Sequence, residues 1–127
     1  MDFDRPVLRS VDVDLGELAT VSVILEAEGV EHLGQAEGSV DPSARARVVG
    51  EATLRALESV TGSSISFDLT AIGTSSLDGM TIALAQVREQ ARTDVYVGSA
   101  LIRQGDSVLA TARAVLDALN RRLTLIH

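Results

Sequence analysis

The chain carries one unit twice, in the same order. Ala52-Thr53-Leu54-Arg55-Ala56-Leu57 is matched 62 residues later by Ala114-Val115-Leu116-Asp117-Ala118-Leu119. Upstream, Leu33-Gly34-Gln35-Ala36 is matched by Val97-Gly98-Ser99-Ala100 at a shift of 64, and Thr20-Val21-Ser22-Val23 by Thr81-Ile82-Ala83-Leu84 at a shift of 61. Three near-constant offsets in one order point to duplication. A duplicated unit must build the same elements twice, so it constrains the fold strongly and the chemistry only indirectly.

A length of 127 residues suits one domain (1–127) with a single modest core. A hydrophobic content of 46% and a mean hydropathy of +0.22 fit a folded globule. No apolar run approaches the roughly 18–20 residues that span a bilayer. The acidic start Met1-Asp2-Phe3-Asp4 lacks the layout of a secretion signal, so a cytoplasmic location without membrane association is expected. A net charge of −7 argues against a nucleic-acid surface, which needs Lys and Arg to neutralise phosphates. All eleven basic residues are Arg, as in proteins of GC-rich genomes. Cysteine is absent, which removes disulfides, thiol catalysis and thiolate metal sites. With only His32 and His127, a His-rich zinc site within one chain is not expected, and no cofactor is called for. Phe3, Phe67 and Tyr96 are too few aromatics for a base-stacking platform.

Periodicity divides each copy into three strands and a helix. Leu8 to Val13 alternates loosely after Pro6 and reads as an edge strand. Ala19 to Ala27 places Val21, Val23 and Leu25 on one face, and Glu28-Gly29 turns the chain into a return strand, Glu31 to Val40. Asp41-Pro42-Ser43 opens a helix: Asp41 caps it and Pro42 takes the first position. Val48, Val49, Ala52, Ala56, Leu57 and Val60 form its stripe, Gly50 suits close packing against a sheet, and Gly62 ends it. In the second copy Ser64 to Ile72 is a strand, Gly73 to Gly79 a polar loop, and Met80 to Val87 a strand with Ile82 and Leu84 inward. Arg88 to Thr93 is a charged turn and Val95 to Arg103 the next strand. A helix follows Gly105-Asp106-Ser107 with Val108, Ala112, Val115, Leu116, Leu119 and Leu123 as its stripe, and Arg121 and Arg122 suit its C-terminal end. The prediction is an α+β fold of duplicated βββα units, 8–62 and 64–123: an antiparallel sheet with two helices packed on one face. Leu123, Leu125 and Ile126 suggest a buried tail, either continuing the helix or folding back as a strand.

This order resembles the C-terminal regulatory domain of 2-isopropylmalate synthase and citramalate synthase. The second helix of that family typically ends in Ala-x-x-x-Ala-Leu-Asn-Arg, and Ala114 to Arg121 reads Ala-Val-Leu-Asp-Ala-Leu-Asn-Arg. The Gly-rich turn and Val-Asp-Ala before the family's first helix are echoed by Glu37-Gly38-Ser39-Val40-Asp41-Pro42, without the second Gly or the Ala. The family's Gly-Gly-x-Asp-Ala is partly echoed by Gly73-Thr74-Ser75-Ser76-Leu77-Asp78-Gly79, and its Ser-Thr-Asp by Gln104-Gly105-Asp106-Ser107, which keeps the Asp. The likeness spans Leu8 to Leu123 and implies a dimeric, non-catalytic module that binds a feedback amino acid such as leucine or isoleucine at loops near the dimer interface. The catalytic barrel that such a module regulates has no counterpart in this sequence.

Helix N-termini are the best places for a small anion or zwitterion, because unpaired N–H groups suit a carboxylate. Gly38 and Ser39 with Asp41 mark the start of the first helix, and Gly105, Asp106 and Ser107 the start of the second; the same residues also serve as plain turns and N-caps. Gly73, Thr74 and Asp78 form a third candidate, equally readable as a solvated loop. His32 lies in a hairpin strand with no nucleophile signature nearby, and Glu26, Glu28 and Glu31 read as a solvated hairpin tip. The glycines match neither the P-loop nor the dinucleotide fingerprint. The leading expectation is a homodimeric regulatory module for an amino-acid-like metabolite. The alternatives are a protein-interaction module without a ligand, and a nucleotide-messenger or coenzyme binder using Arg103, Arg113, Arg121 and Arg122. The small, weakly polar second face of the sheet, expected at Ser22, Ala83 and Ala85, is the anticipated partner surface.

Overall fold

The computed structural model describes residues 5–124, without the side chains of Arg121, Leu123 and Thr124. The tail at 125–127, and with it the question of its burial, lies outside the described residues; helix α2 itself runs on to Thr124. The order is β1 (Val7–Leu15), β2 (Ala19–Ala27), β3 (Val30–Gly38), α1 (Arg45–Val60), β4 (Phe67–Leu77), β5 (Met80–Glu89), β6 (Val95–Leu101) and α2 (Ser107–Thr124). The fold is α+β and repeats βββα, but its strands form two antiparallel three-stranded sheets, β1-β2-β3 and β4-β5-β6. Each helix packs on the second and third strands of its own sheet, the helices touch each other, and α1 also abuts β4.

Two buried glycines set the helix-to-sheet distance. A Cβ on Gly34 would run into the Ala52 carbonyl oxygen and the Ala56 amide nitrogen, and would stand 2.8 Å from Ala56 Cα. Gly98 stands in the same relation to Ala114 and Ala118, again 2.8 Å from the Ala118 Cα. Gly34 pairs with Val23 in β2, and Gly98 pairs with Ala85 in β5. Ala85 is therefore the counterpart of Val23, a shift of 62 and not 61. One residue of shift turns a strand over, because side chains alternate with period two. Ala83, Ala85 and Val87 accordingly face the core, while Ile82 and Leu84 point to the other face, the reverse of the sequence expectation. The anticipated partner face thus carries Ile82 and Leu84 and not the alanines.

Both copies also break register at equivalent points. β1 has a bulge between Leu8 and Ser10, and β4 has one between Leu69 and Ala71. Beyond the bulge Ile72, not Ala71, packs against the core, which ends the predicted alternation Ile65, Phe67, Leu69, Ala71. β4 begins only at Phe67 and extends through the expected loop to Leu77, because Gly73 to Leu77 pair with β5 residue by residue. Asp78 and Gly79, both at positive φ, make the two-residue hairpin turn, as Glu28 and Gly29 do between β2 and β3.

Side chains of α1 keep the two sheets apart. Glu58 accepts a hydrogen bond from the Phe67 amide at 2.9 Å, Arg55 donates to the Phe67 carbonyl at 3.2 Å, and Arg47 donates to the Leu69 carbonyl at 3.2 Å. These contacts occupy the edge of β4 away from β5, where a further strand would otherwise add. Gly50 faces the same strand: a Cβ there would stand 2.7 Å from a Leu69 methyl, as its predicted close packing requires.

Candidate functional site

The N-terminal turns of the two helices open onto one cleft of about 280 Å3, closed on its third side by β4. α1 and the turn before it supply Ser43, Arg45 and Val49, α2 supplies Ser107, Val108 and Thr111, and β4 supplies Ile72, Gly73 and Thr74. Thr74 lies on the core face of β4, opposite Ala83, and Gly73 beside it adds no side chain. Val49, Ile72 and Val108 make one wall apolar. The Arg45 Nε is buried with no hydrogen-bond partner, and its guanidinium donates to the Val40 carbonyl at 3.5 Å. A buried guanidinium N–H left unpaired favours an incoming oxygen anion. Ser43 gives its hydroxyl proton to Asp41 at 3.0 Å, and Thr111 gives its own to the Ser107 carbonyl at 2.7 Å. Their lone pairs remain to accept from an ammonium group.

Three of the nine sequence-predicted residues, Gly73, Thr74 and Ser107, line this cleft. Asp41 stands behind it as a cap: its carboxylate accepts from the Ser43 amide at 3.0 Å and starts a 3-10 turn, Pro42–Ala44, that runs into α1. Those bonds hold the Asp41 carboxyl below its ordinary pKa, the Ser43 amide contributing most. The helix therefore begins at Arg45, three residues later than Pro42 suggested. Ser39 accepts from the Asp41 amide at 3.1 Å, and Gly38 ends β3 against Val48. Asp106 caps α2 by accepting from the Leu109 amide at 3.0 Å, and Gly105 turns the chain at φ +74. Asp78 is the tip of the β4–β5 hairpin. Arg45 was missed, since one Arg in an amphipathic helix carries no signal of its own.

Of the arginines considered for a nucleotide, Arg103 and Arg113 share a second cleft of about 260 Å3 with the capping Asp106. Arg122 is engaged elsewhere: it holds Glu89 through two bonds, 2.7 and 3.2 Å, with Tyr96 donating to the same carboxylate at 3.4 Å. Glu89 is 3% exposed, and the bonds from Arg122 keep its carboxyl below the ordinary glutamate pKa against the cost of burial. The expected charged turn thus contains a buried ion pair that pins the end of β5 to the last turns of α2. His32, in the hairpin strand, shares a hydrogen bond of 2.9 Å with Ser59.

Among the described residues no cluster of His, Cys, Asp and Glu is arranged to hold a metal ion, and no helix is long and apolar enough to cross a membrane. No protein-family model matches the sequence, and no curated protein matches it significantly.

Proposed function

We propose that this chain is a non-catalytic, cytoplasmic regulatory module that binds a small amino-acid-like metabolite and acts as a homodimer. The observation that carries the reading is the cleft between the two helix N-termini, which Arg45, with its unpaired Nε, lines together with Gly73, Thr74 and Ser107. A carboxylate would take the guanidinium, an ammonium group the hydroxyl lone pairs, and a short branched side chain the wall of Val49, Ile72 and Val108. The resemblance to the regulatory domain of 2-isopropylmalate synthase supports the same ligand class, through the helix ending at Ala114 to Arg121 and the βββα order. The capping carboxylates Asp41 and Asp106 sit near the two helix starts, so a doubly charged anion fits less well than a zwitterion.

A thermal-shift titration with branched-chain amino acids, their keto acids and common nucleotides tests this. A ligand at about 100 times its dissociation constant adds roughly 2.7 kcal/mol to native stability. For a chain of this length that is a rise of about 10 °C in Tm. Arg45→Gln keeps most of the bulk and should abolish the rise. A response to nucleotides alone would move the site to Arg103 and Arg113. A flat panel would sink the ligand reading and favour a protein-interaction module.

A further inference from the structure

The duplication gives the two sheets outer faces built on the same backbone plan. The outer faces of the two sheets, turned away from the helices, are equivalent position by position through the strand registers. In the central strands Thr20 and Ser22 of the first sheet correspond to Ile82 and Leu84 of the second. In the third strands Glu31 and Glu37 correspond to Val95 and Leu101. In the first strands Asp12 and Asp14 correspond to Gly73 and Ser75. Ile24 and Val7 run the other way, against Gln86 and Asp68, and the exposed Leu33 is matched by the equally apolar Val97. The first face thus carries Asp12, Asp14, Glu31 and Glu37 around a smaller apolar patch of Ile24 and Leu33, and the second carries its apolar groups with no charges beyond the pair Asp68 and Arg88. Val95 and Val97 are 53% and 66% exposed, and neither Ile82, Leu84 nor Leu101 belongs to the core or packs against it.

We infer that the outer face of the β4-β5-β6 sheet is where a second copy of this chain docks, face to face about a two-fold axis. This rests on the homodimer of the proposed function, to which it assigns a face, and does not depend on the ligand. Charge selects the second copy. The chain carries a net charge of −7, and the outer face of the first sheet bears unpaired acids that repel one another across a self-contact. The charges of the second face cancel, since Arg88 holds Asp68 at 3.0 Å. Copies can therefore meet through this face without bringing like charges together. Its relief also fits itself. Gly73, opposite Leu84, leaves a shallow apolar depression of about 290 Å3 beside Ala71, and Val97, on the strand across β5, lines its far side. A two-fold axis near Leu84 lets Val97 of each copy enter the depression of the other, as isologous packing requires. Three strands about 4.8 Å apart, paired over about seven residues of 3.3 Å, give a small interface, so a dissociation constant in the micromolar range, roughly 1–100 µM, is expected.

Sedimentation equilibrium between about 1 µM and 1 mM tests the assignment. The wild type should pass from monomer to dimer across that range. Val97→Glu should weaken association at least tenfold while keeping the circular dichroism spectrum and Tm of the wild type. Leu33→Glu, at the equivalent exposed position of the first sheet, should leave association unchanged. Leu84→Ser, which removes the centre of the face without adding charge, should weaken it as well. A wild type monomeric at 1 mM would overturn the inference, as would a dimer dispersed by Leu33→Glu and not by Val97→Glu. Arg45→Gln should leave the association constant untouched, so loss of the ligand response and loss of the dimer are read separately.

Discussion

Replacing Gly34 or Gly98 by Ala tests the geometry that the whole fold shares. At each site the new methyl would meet helix backbone, 2.8 Å from an alanine Cα and nearer still to an amide nitrogen and a carbonyl oxygen. Carbon atoms in contact settle about 3.5–4.0 Å apart, so helix and sheet must separate by roughly 1 Å. Backbone cannot rotate away as a side chain would, which places the cost at or above the top of the usual 1–3 kcal/mol for overpacking. The stiffer unfolded chain returns about 0.4–1 kcal/mol. The net loss is about 2–3 kcal/mol, a fall of roughly 8–11 °C in Tm for a chain of this length. The two variants should fall alike, because the three nearest atoms at Gly34 and Gly98 are the same backbone atoms at the same distances. Gly73→Ala is the control: nothing lies within 4 Å of the added Cβ, so its Tm should hold or rise slightly. Differential scanning calorimetry settles the matter. A Gly34→Ala or Gly98→Ala protein melting within 2 °C of the wild type would refute the close-approach argument, and a difference above about 5 °C between them would refute the equivalence of the two units.

Glu89→Gln should cost about 3 kcal/mol in urea unfolding, because it leaves the buried Arg122 guanidinium without its counter-charge. The folded-state pKa of Glu89 is depressed, so its contribution is complete above the ordinary glutamate value of 4.5 and is lost as pH falls through the lower folded value. Stability of the wild type should therefore drop more steeply below pH 4.5 than that of Glu89→Gln, and parallel slopes would contradict the pairing. Glu58→Ala should cost about 1–2 kcal/mol by stranding the Phe67 amide. It should also speed hydrogen exchange at that amide more than at Leu69, and unchanged exchange at Phe67 would argue against the contact.

Much of the architecture was legible because each element carried its own punctuation. Asp41-Pro42, Glu28-Gly29 and Gly62 each mark a boundary by a local backbone requirement, and each stands at a turn or cap. The face of β5 was not legible, since Ile82-Ala83-Leu84-Ala85 is apolar on both sides and hydrophobicity alone favours the larger pair. What decided the face was the room under Gly98, which admits the helix so closely that alanines fit beneath it. The strand beyond Gly73 was hidden for the opposite reason: Thr74, Ser75 and Ser76 look like loop, and pairing with β5 holds them extended. Of the cleft, the small and hydroxylated members were visible as turn and cap residues. Arg45 and the burial of Glu89 were not, because a charged side chain in a polar stretch reads as solvated until its neighbours are known.

The grip of α1 on the edge of β4 has a consequence for how the halves fit one another. By position, Arg47, Arg55 and Glu58 of α1 correspond to Leu109, Asp117 and Asn120 of α2, and Phe67 of β4 to Pro6 ahead of β1. Pro6 has no amide proton to offer, and Asp117 binds the Ser99 amide of its own β6 instead, at 3.0 Å. The hydrogen-bonded embrace is therefore one-sided, although α2 also touches β1. Two first halves joined in tandem would present Glu58 with a proline, and two second halves would offer the amide at Phe67 the shorter, uncharged Asn120 in place of Glu58. Chains split at Gly62 should therefore reassemble in favour of one first half with one second half, the pairing that alone gives Glu58 an amide to bind.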